Sequence, residues 1–220
     1  MLLIKYFKPP ILRRECWFND GTHQKNFTRF FQSNHIPRYA ILKKVKSTWV
    51  IELENWTFDN IHKKTRYDIR RVHSININKQ YSTWNQLNQT DKSNIVESYN
   101  NFAKDKKVSL INIERLEAVK ENVLFSCFGF GTSCSYHIYI FDNKRFRLLY
   151  SWAVLDKSDS VLYAGLNKFH TSSDIEHARN LGFNLYDFGG YNESRMNGID
   201  KFKSRFGGKI TIEYNYIKLV

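Results

Sequence analysis

The stretch YDFGGYNESRMNGIDKFKSRFGG, from Tyr186 to Gly208, decides how the rest of the chain is read. A short apolar strand, Asn184 to Phe188, ends at the paired glycines Gly189 and Gly190. A loop with Asn192, Glu193, Ser194 and Arg195 follows. From Asn197 the period turns helical, with Ile199, Phe202 and Phe206 along one stripe until Gly207-Gly208 stops it. Glycines at a strand end let a ligand or a second backbone approach closely. Ligands of open α/β sheets sit outside the carboxyl ends of the strands. Lys203 stands at the edge of the stripe, whereas Lys201 and Arg205, four residues apart, face outward. A lysine on an apolar seam either snorkels its stem along it or has a chemical task. Asp187 lies inside the apolar strand, where a buried acid needs a partner. It is either a structural hydrogen-bond acceptor or part of a site.

Upstream, Ser173 to Leu181 reads as a helix opened by the capping box Ser173-Asp174-Ile175-Glu176 and stopped by Gly182. Two strands, Ser135 to Phe141 and Phe146 to Leu155, form a hairpin at Asp142-Asn143. Asp91 to Lys106 is a helix with Ile95, Tyr99 and Phe102 inward, and Ile113 to Asn122 a further one. Thr57 to Val72 is helical, with Ile61, Thr65, Ile69 and Val72 inside and Arg66 and Arg70 sharing another face. Tyr39 to Glu54 alternates as a strand pair turning near Lys46-Ser47. Before Pro37, Pro9-Pro10 and the turn signal Asn19-Asp20-Gly21 suggest an irregular arm tacked down by aromatic residues. The pattern is α/β: one domain over residues 1–220, a central mixed sheet with helices on both sides, and residues 1–37 as the arm.

The 220 residues carry 42% apolar and 16% aromatic side chains, enough for a core without disulfides. Three cysteines with no CxxC pair argue against zinc. His170 and His177 lie seven apart, but no third ligand accompanies them, so the expected metal complement is none. No apolar run approaches the ~20 residues that span a bilayer, and a cytosolic location follows, the inner membrane face included. Net charge is +13. Residues 1–75 hold 15 Lys and Arg against 6 Asp and Glu, and the remainder 19 against 15. The asymmetry suggests that the N-terminal third faces an anionic partner (RNA, a nucleotide-sugar or an anionic membrane surface), the alternative being a solvated lysine-rich surface. No GxSxG, GxxxxGK[ST] or HExxH motif is present. Gly129-Phe130-Gly131 reads as a turn.

Two segments resemble the Fem-type transferases, the peptidoglycan interpeptide-bridge enzymes built on the GNAT acyltransferase fold. TWVIELENWTFDNIHKKTRYDIRR, from Thr48, is similar to that family's strand and basic helix, through Lys64, Arg66, Ile69 and Arg70. Asn167 through His170, YDFGG at 186–190 and GIDKFKSRFGG at 198–208 are similar to its closing pattern. The resemblance implies a GNAT-like fold, with a mixed, mainly antiparallel central sheet and helices on both faces. It also implies transfer of an acyl or aminoacyl group to a primary amine, without a bound cofactor. The implied acceptor is an anionic, amine-bearing cell-envelope or surface-polysaccharide precursor, such as a nucleotide-sugar or muramyl peptide. The implied donor is aminoacyl-tRNA, with acyl-CoA second, because LNKFHTSSD lacks the glycine loop of CoA-dependent members. By the same resemblance Lys203 stabilises the oxyanion and Phe202 walls the donor channel. Arg66, Arg70, Asn167, Gly189 and Gly190 contact substrate. Asp187, Tyr163 and Tyr191 are candidates for taking the amine's proton. The alternatives are a CoA-dependent N-acyltransferase acting on an amino sugar and a non-catalytic RNA-binding module.

Overall fold

The computed structural model describes residues 1–8, 11–19, 29–38, 40–191 and 198–217. Ten strands form one sheet in the order β1-β2-β3-β10-β4-β9-β8-β7-β6-β5. They are β1 (Leu2–Lys8), β2 (Ile11–Trp17), β3 (Arg29–Ser33), β4 (Leu42–Glu52), β5 (Asn78–Thr83), β6 (Val123–Phe130), β7 (Ser133–Phe141), β8 (Arg145–Val154), β9 (Leu185–Gly190) and β10 (Lys209–Ile217). The helices are α1 (Lys63–His73), α2 (Gln89–Lys106), α3 (Ile113–Ala118), α4 (Ser160–Asn180) and α5 (Gly198–Ser204). Neighbours are antiparallel except β2–β3 and β8–β9. The parallel β8–β9 pair needs a crossover, and α4 supplies it. The expected GNAT-like architecture, a mainly antiparallel sheet with helices on both faces, is the one observed.

One core lies between the sheet and the α1–α4 pair. It holds Ile61, Ile69 and Val72 of the predicted inner stripe, with Leu166, Phe169, Tyr186 and Phe206. Gly165 makes that helix contact possible, since a Cβ there would lie 2.5 Å from Val72 Cγ2 and 2.8 Å from the Asp68 carbonyl oxygen. The second core fills the opposite face beneath α2 and α3, around Ile4, Trp84, Tyr99, Leu116, Ile138 and Trp152.

Several expected elements are corrected. The N-terminal segment is strand rather than irregular arm. Leu2, Ile4 and Tyr6 alternate inward, and buried Glu15 takes Arg115, Tyr6 and Trp17 as partners. The predicted turn at Asn19-Asp20-Gly21 lies mostly outside the described residues. The strand pair at 39–54 is one continuous strand, β4, because β10 pairs with it in unbroken register through Lys46 and Ser47. The helix expected from Thr57 begins at Lys63, after a 3-10 turn over Phe58–Asn60. The helix expected over 113–122 stops at Ala118 and gives way to a 3-10 turn, Lys120–Asn122.

The largest correction concerns α4. It starts at Ser160, capped by the Asp159 carboxylate on the Val161 and Leu162 amides, and runs straight through the expected start at Ser173. Ser173 and Asp174 therefore sit inside the helix. Asp174 is fully buried, and its carboxylate is engaged by side chains of β6 and β7 instead of capping backbone.

Candidate functional site

The register of β8 and β9 creates an opening. They pair only from Arg145–Leu185 to Arg147–Asp187, after which β8 continues to Val154 and β9 ends at Gly190. The splay leaves a cleft of about 700 Å³, walled by Leu148 to Ala153 of β8, Tyr99 and Phe102 of α2, Phe188 of β9 and Phe202 of α5. Its lining is mostly apolar and aromatic. The polar groups that reach it include Lys106, Asn167 and Lys203. This is the strand-end position that the YDFGG stretch implies.

Lys203 enters the cleft from α5, only 12% exposed along its side chain. Its Nζ donates to the Gly190 carbonyl oxygen and lies 3.9 Å from Asp200. Burial pushes its pKa down, and nearby Arg147 adds to that, against the opposing pull of Asp200 and Asp187. Phe202 packs 5.1 Å from Phe206, which is buried in the core. Ile199, by contrast, is 62% exposed, so the apolar stripe holds at its C-terminal end only. Gly189 has a φ of 81°, and a Cβ there would sit 3.5 Å from both Arg147 Nη2 and the Leu148 oxygen. The fold thus brings Lys203, Phe202 and Asn167 together with the end of β9.

The other candidates lie elsewhere. Asp187 is held by Arg147 Nη1 at 2.5 Å, Arg145 Nε at 2.9 Å, Thr48 Oγ1 at 2.5 Å and the Gly189 amide at 2.7 Å. Burial alone would raise its pKa, but Arg147, Arg145 and these hydrogen bonds bring it down to about 2. Arg145 also binds Glu213. Asp187 is a clamp between strands, and its oxygens are already engaged. Tyr163 is 53% exposed on α4, one turn before Asn167, and is not among the residues that wall the cleft. Tyr191 is buried 4.8 Å from Trp49, its amide bonded to the Ser47 oxygen. Arg66 pairs with Asp59 at 2.5 Å, and Arg70 lies 5.6 Å over Phe58. None of these lines the cleft. The loop residues Asn192 to Arg195, and Asn197, fall outside the described residues.

Beneath the cleft lies a polar cluster that the sequence reading missed. His137 Nδ1 is 2.7 Å from Asp174 Oδ2, and its Nε2 is 3.0 Å from Asn167 Oδ1. His170 Nδ1 is 2.9 Å from Ser135 Oγ, and its Nε2 is 2.8 Å from Ser126 Oγ. Ser135 donates to Asn167 Oδ1 at 3.0 Å. Tyr139 donates to Asp174 at 2.6 Å and meets the Tyr186 hydroxyl at 2.8 Å. Burial drives the His170 pKa well below its ordinary value. For Asp174 burial pulls upward, but the charge and hydrogen-bond contributions of His170, His137 and Tyr139 outweigh it and lower the pKa. A sequence signal did exist: alternation along β7 places Ser135, His137 and Tyr139 on one face, and i, i+4 spacing puts His170 and Asp174 on one side of α4. Nothing in the sequence joined the two.

Two histidines and a carboxylate invite a metal, with the three ligand atoms within 4.8 Å of one another. The rings do not suit one. They stack 3.9 Å apart at 10°, so an ion in the plane of one imidazole lies far out of the plane of the other. Their nitrogens already face hydroxyl, amide and carboxylate oxygens.

No family model matches the sequence, nor does any curated protein. The fold, however, is shared with solved structures. FemX superposes with a TM-score of 0.62 at 11% identity, over 84% of this chain and 64% of that one. A C-terminal domain assigned to a lysylphosphatidylglycerol synthetase of Agrobacterium fabrum gives 0.59 at 10% identity, over 87% and 68%. L-PGS from Bacillus licheniformis gives 0.55 at 9%, over 88% and 68%. This chain spans about two thirds of each. The likeness is one of fold, and it agrees with the Fem-type, GNAT-like architecture. Among the described residues no helix is long and apolar enough to cross a membrane.

Proposed function

We propose that the chain transfers an acyl or aminoacyl group to a primary amine, with the chemistry in the cleft between β8 and β9. The observation that carries this reading is the position of Lys203, desolvated among aromatic walls at the end of β9. The amine attacks the donor's carbonyl carbon and a C–N bond forms. The tetrahedral oxyanion then collapses, breaking the C–O bond of an ester or the C–S bond of a thioester. The amine loses a proton and the leaving oxygen or sulfur gains one. A cation held beside the carbonyl oxygen is worth most when the negative charge develops, so Lys203 acts mainly on turnover.

In this reading the donor is aminoacyl-tRNA first and acyl-CoA second. The acceptor is an anionic, amine-bearing precursor of the cell envelope or a surface polysaccharide. Exposed Lys43, Lys44 and Lys46 of β4 support an anionic partner. FemX and the lysylphosphatidylglycerol synthetases that share the fold support transfer of an aminoacyl group. The test incubates the protein with charged tRNA or acyl-CoA and a panel of amine acceptors, and follows the acceptor's mass. Mass gain matching one acyl group, absent with Lys203→Ala, is expected. No mass gain with either donor, or gain that persists undiminished in Lys203→Ala, contradicts the reading.

A further inference from the structure

The buried cluster under the cleft is not used by Lys203, and it ends on a residue that lines the cleft. Asn167 Oδ1 accepts from Ser135 Oγ and from His137 Nε2. A carbonyl oxygen has two lone pairs, so those two bonds fill it. The Nδ2 of the same amide has no protein partner among the described residues, and Asn167 borders the cleft with Lys203. We propose that His137, held by Asp174, and Ser135, held by His170, fix the Asn167 amide with its N–H groups toward the cleft, where they donate to the acyl carbonyl oxygen beside Lys203. This rests on the acyl-transfer reading and adds a second donor to it. Asn167 is then a catalytic residue, and His137, Asp174, Ser135 and His170 are positioning residues.

The hydrogen-bond inventory makes the orientation readable. With Oδ1 inward, both nitrogens of His137 face acceptor oxygens, the Asp174 carboxylate and the Asn167 carbonyl, and both carry a proton. Ser135 spends its own proton on Asn167, so it accepts from His170 Nδ1–H. The one proton of Ser126 lies between His170 Nε2 at 2.8 Å and Asp174 Oδ2 at 3.2 Å, and the shorter contact gives it to His170. Turned over, the amide would donate inward to His137 Nε2 and to Ser135. Ser135 would then donate to His170 Nδ1, moving the His170 proton to Nε2. The two arrangements differ at every ring nitrogen except His137 Nδ1.

The experiment is two-bond ¹H–¹⁵N correlation spectroscopy of the histidine rings in uniformly labelled protein at neutral pH, beside the mass-detected transfer assay. Two protonated nitrogens on His137 and a proton on His170 Nδ1 are expected. Asn167→Asp keeps an oxygen toward His137 and Ser135 but has no N–H for the cleft. It should retain that ring pattern while turnover falls roughly 100-fold, as for a lost oxyanion donor, with KM little changed. Asn167→Ala should lose turnover to a similar extent. An acceptor Nε2 on His137 together with a protonated His170 Nε2 overturns the proposal, whatever the assay shows, as does undiminished turnover in both variants. The expected ring pattern with no transfer from either donor instead removes the acyl-transfer reading, and this proposal falls with it.

Discussion

Two aspartates are buried without residual exposure on opposite faces of the same sheet, and they are surrounded quite differently. Asp187 points away from the α1–α4 core that holds its neighbours Tyr186 and Phe188, and it meets Arg145 and Arg147. Asp174 points from α4 into the sheet and meets two imidazoles, a serine and a tyrosine. Arginine stays charged under all relevant conditions, so the first cluster has one protonation pattern and works as a clamp. Imidazoles, hydroxyls and amides can each exchange donor and acceptor roles, so the second cluster can orient a group. Only the second reaches the cleft, through Asn167. A buried carboxylate is therefore read from its partners.

The contrast breaks most easily at Asp187. Asp187→Asn would leave Arg145 and Arg147 without their shared counter-charge in the interior, at a cost of about 3–5 kcal/mol. Urea unfolding measures it. Asp174→Asn keeps most of the shape, and its imidazole partners, unlike arginine, can shed a proton rather than stay charged and unpaired, so it is expected to cost about 1–3 kcal/mol. A loss at Asp174 equal to or above that at Asp187 would undo the distinction between clamp and orienting cluster.

Acid unfolding sharpens it. The folded-state pKa of Asp187 is depressed from 3.8 to about 2, so its contribution is complete above the ordinary value. It fades as pH falls from about 4 to about 2, and the shift corresponds to about 2 kcal/mol. Stability of the wild type should drop across that window, and Asp187→Asn should flatten the drop. The smallest effects belong to the outer face of α1. Arg66→Ala and Arg70→Ala, at an ion pair open to solvent and a ring contact, should change stability by less than about 1 kcal/mol and leave transfer turnover unaltered. A large loss of turnover in either would restore the basic helix to the site.

The hairpin β7–β8, the strand ending in Gly189-Gly190 and the helix carrying Lys203 were legible because each has a local period and a local stop. What was not legible depends on partners distant in sequence. VLFSCFGF of β6, covered by β5 and β7, is buried on both faces over most of its length, so it has no alternation to betray it. LLIKYFK does alternate, but Pro9-Pro10 beside it suggested an arm. Ser173-Asp174-Ile175-Glu176 matches a capping box, yet tertiary contacts with His137 and Tyr139 carry the helix through it. At the site, Lys203, Phe202 and Asn167 were named from sequence and meet at the cleft, whereas the histidine cluster is assembled by 30- to 48-residue separations that no local pattern encodes. Tyr163 and Tyr191 were chosen for their chemistry; Tyr163 is half-exposed on α4, Tyr191 packs on Trp49, and neither is among the residues that wall the cleft.

The central claim is that Lys203 serves the reaction as a cation in a desolvated cleft. The most direct measurement compares transfer turnover against pH for the wild type, Lys203→Ala and Lys201→Ala, using whichever donor the mass assay supports. Because burial lowers the Lys203 pKa, the wild-type rate should fall with rising pH before the ordinary lysine value is reached. Lys203→Ala should lose roughly 100- to 1,000-fold in turnover, together with that alkaline limb. Lys201→Ala, on the exposed side of α5, should match the wild type. Equal and mild losses in both variants, with the alkaline limb intact in Lys203→Ala, would contradict the account and leave Lys203 a lysine that packs its stem against the cleft wall.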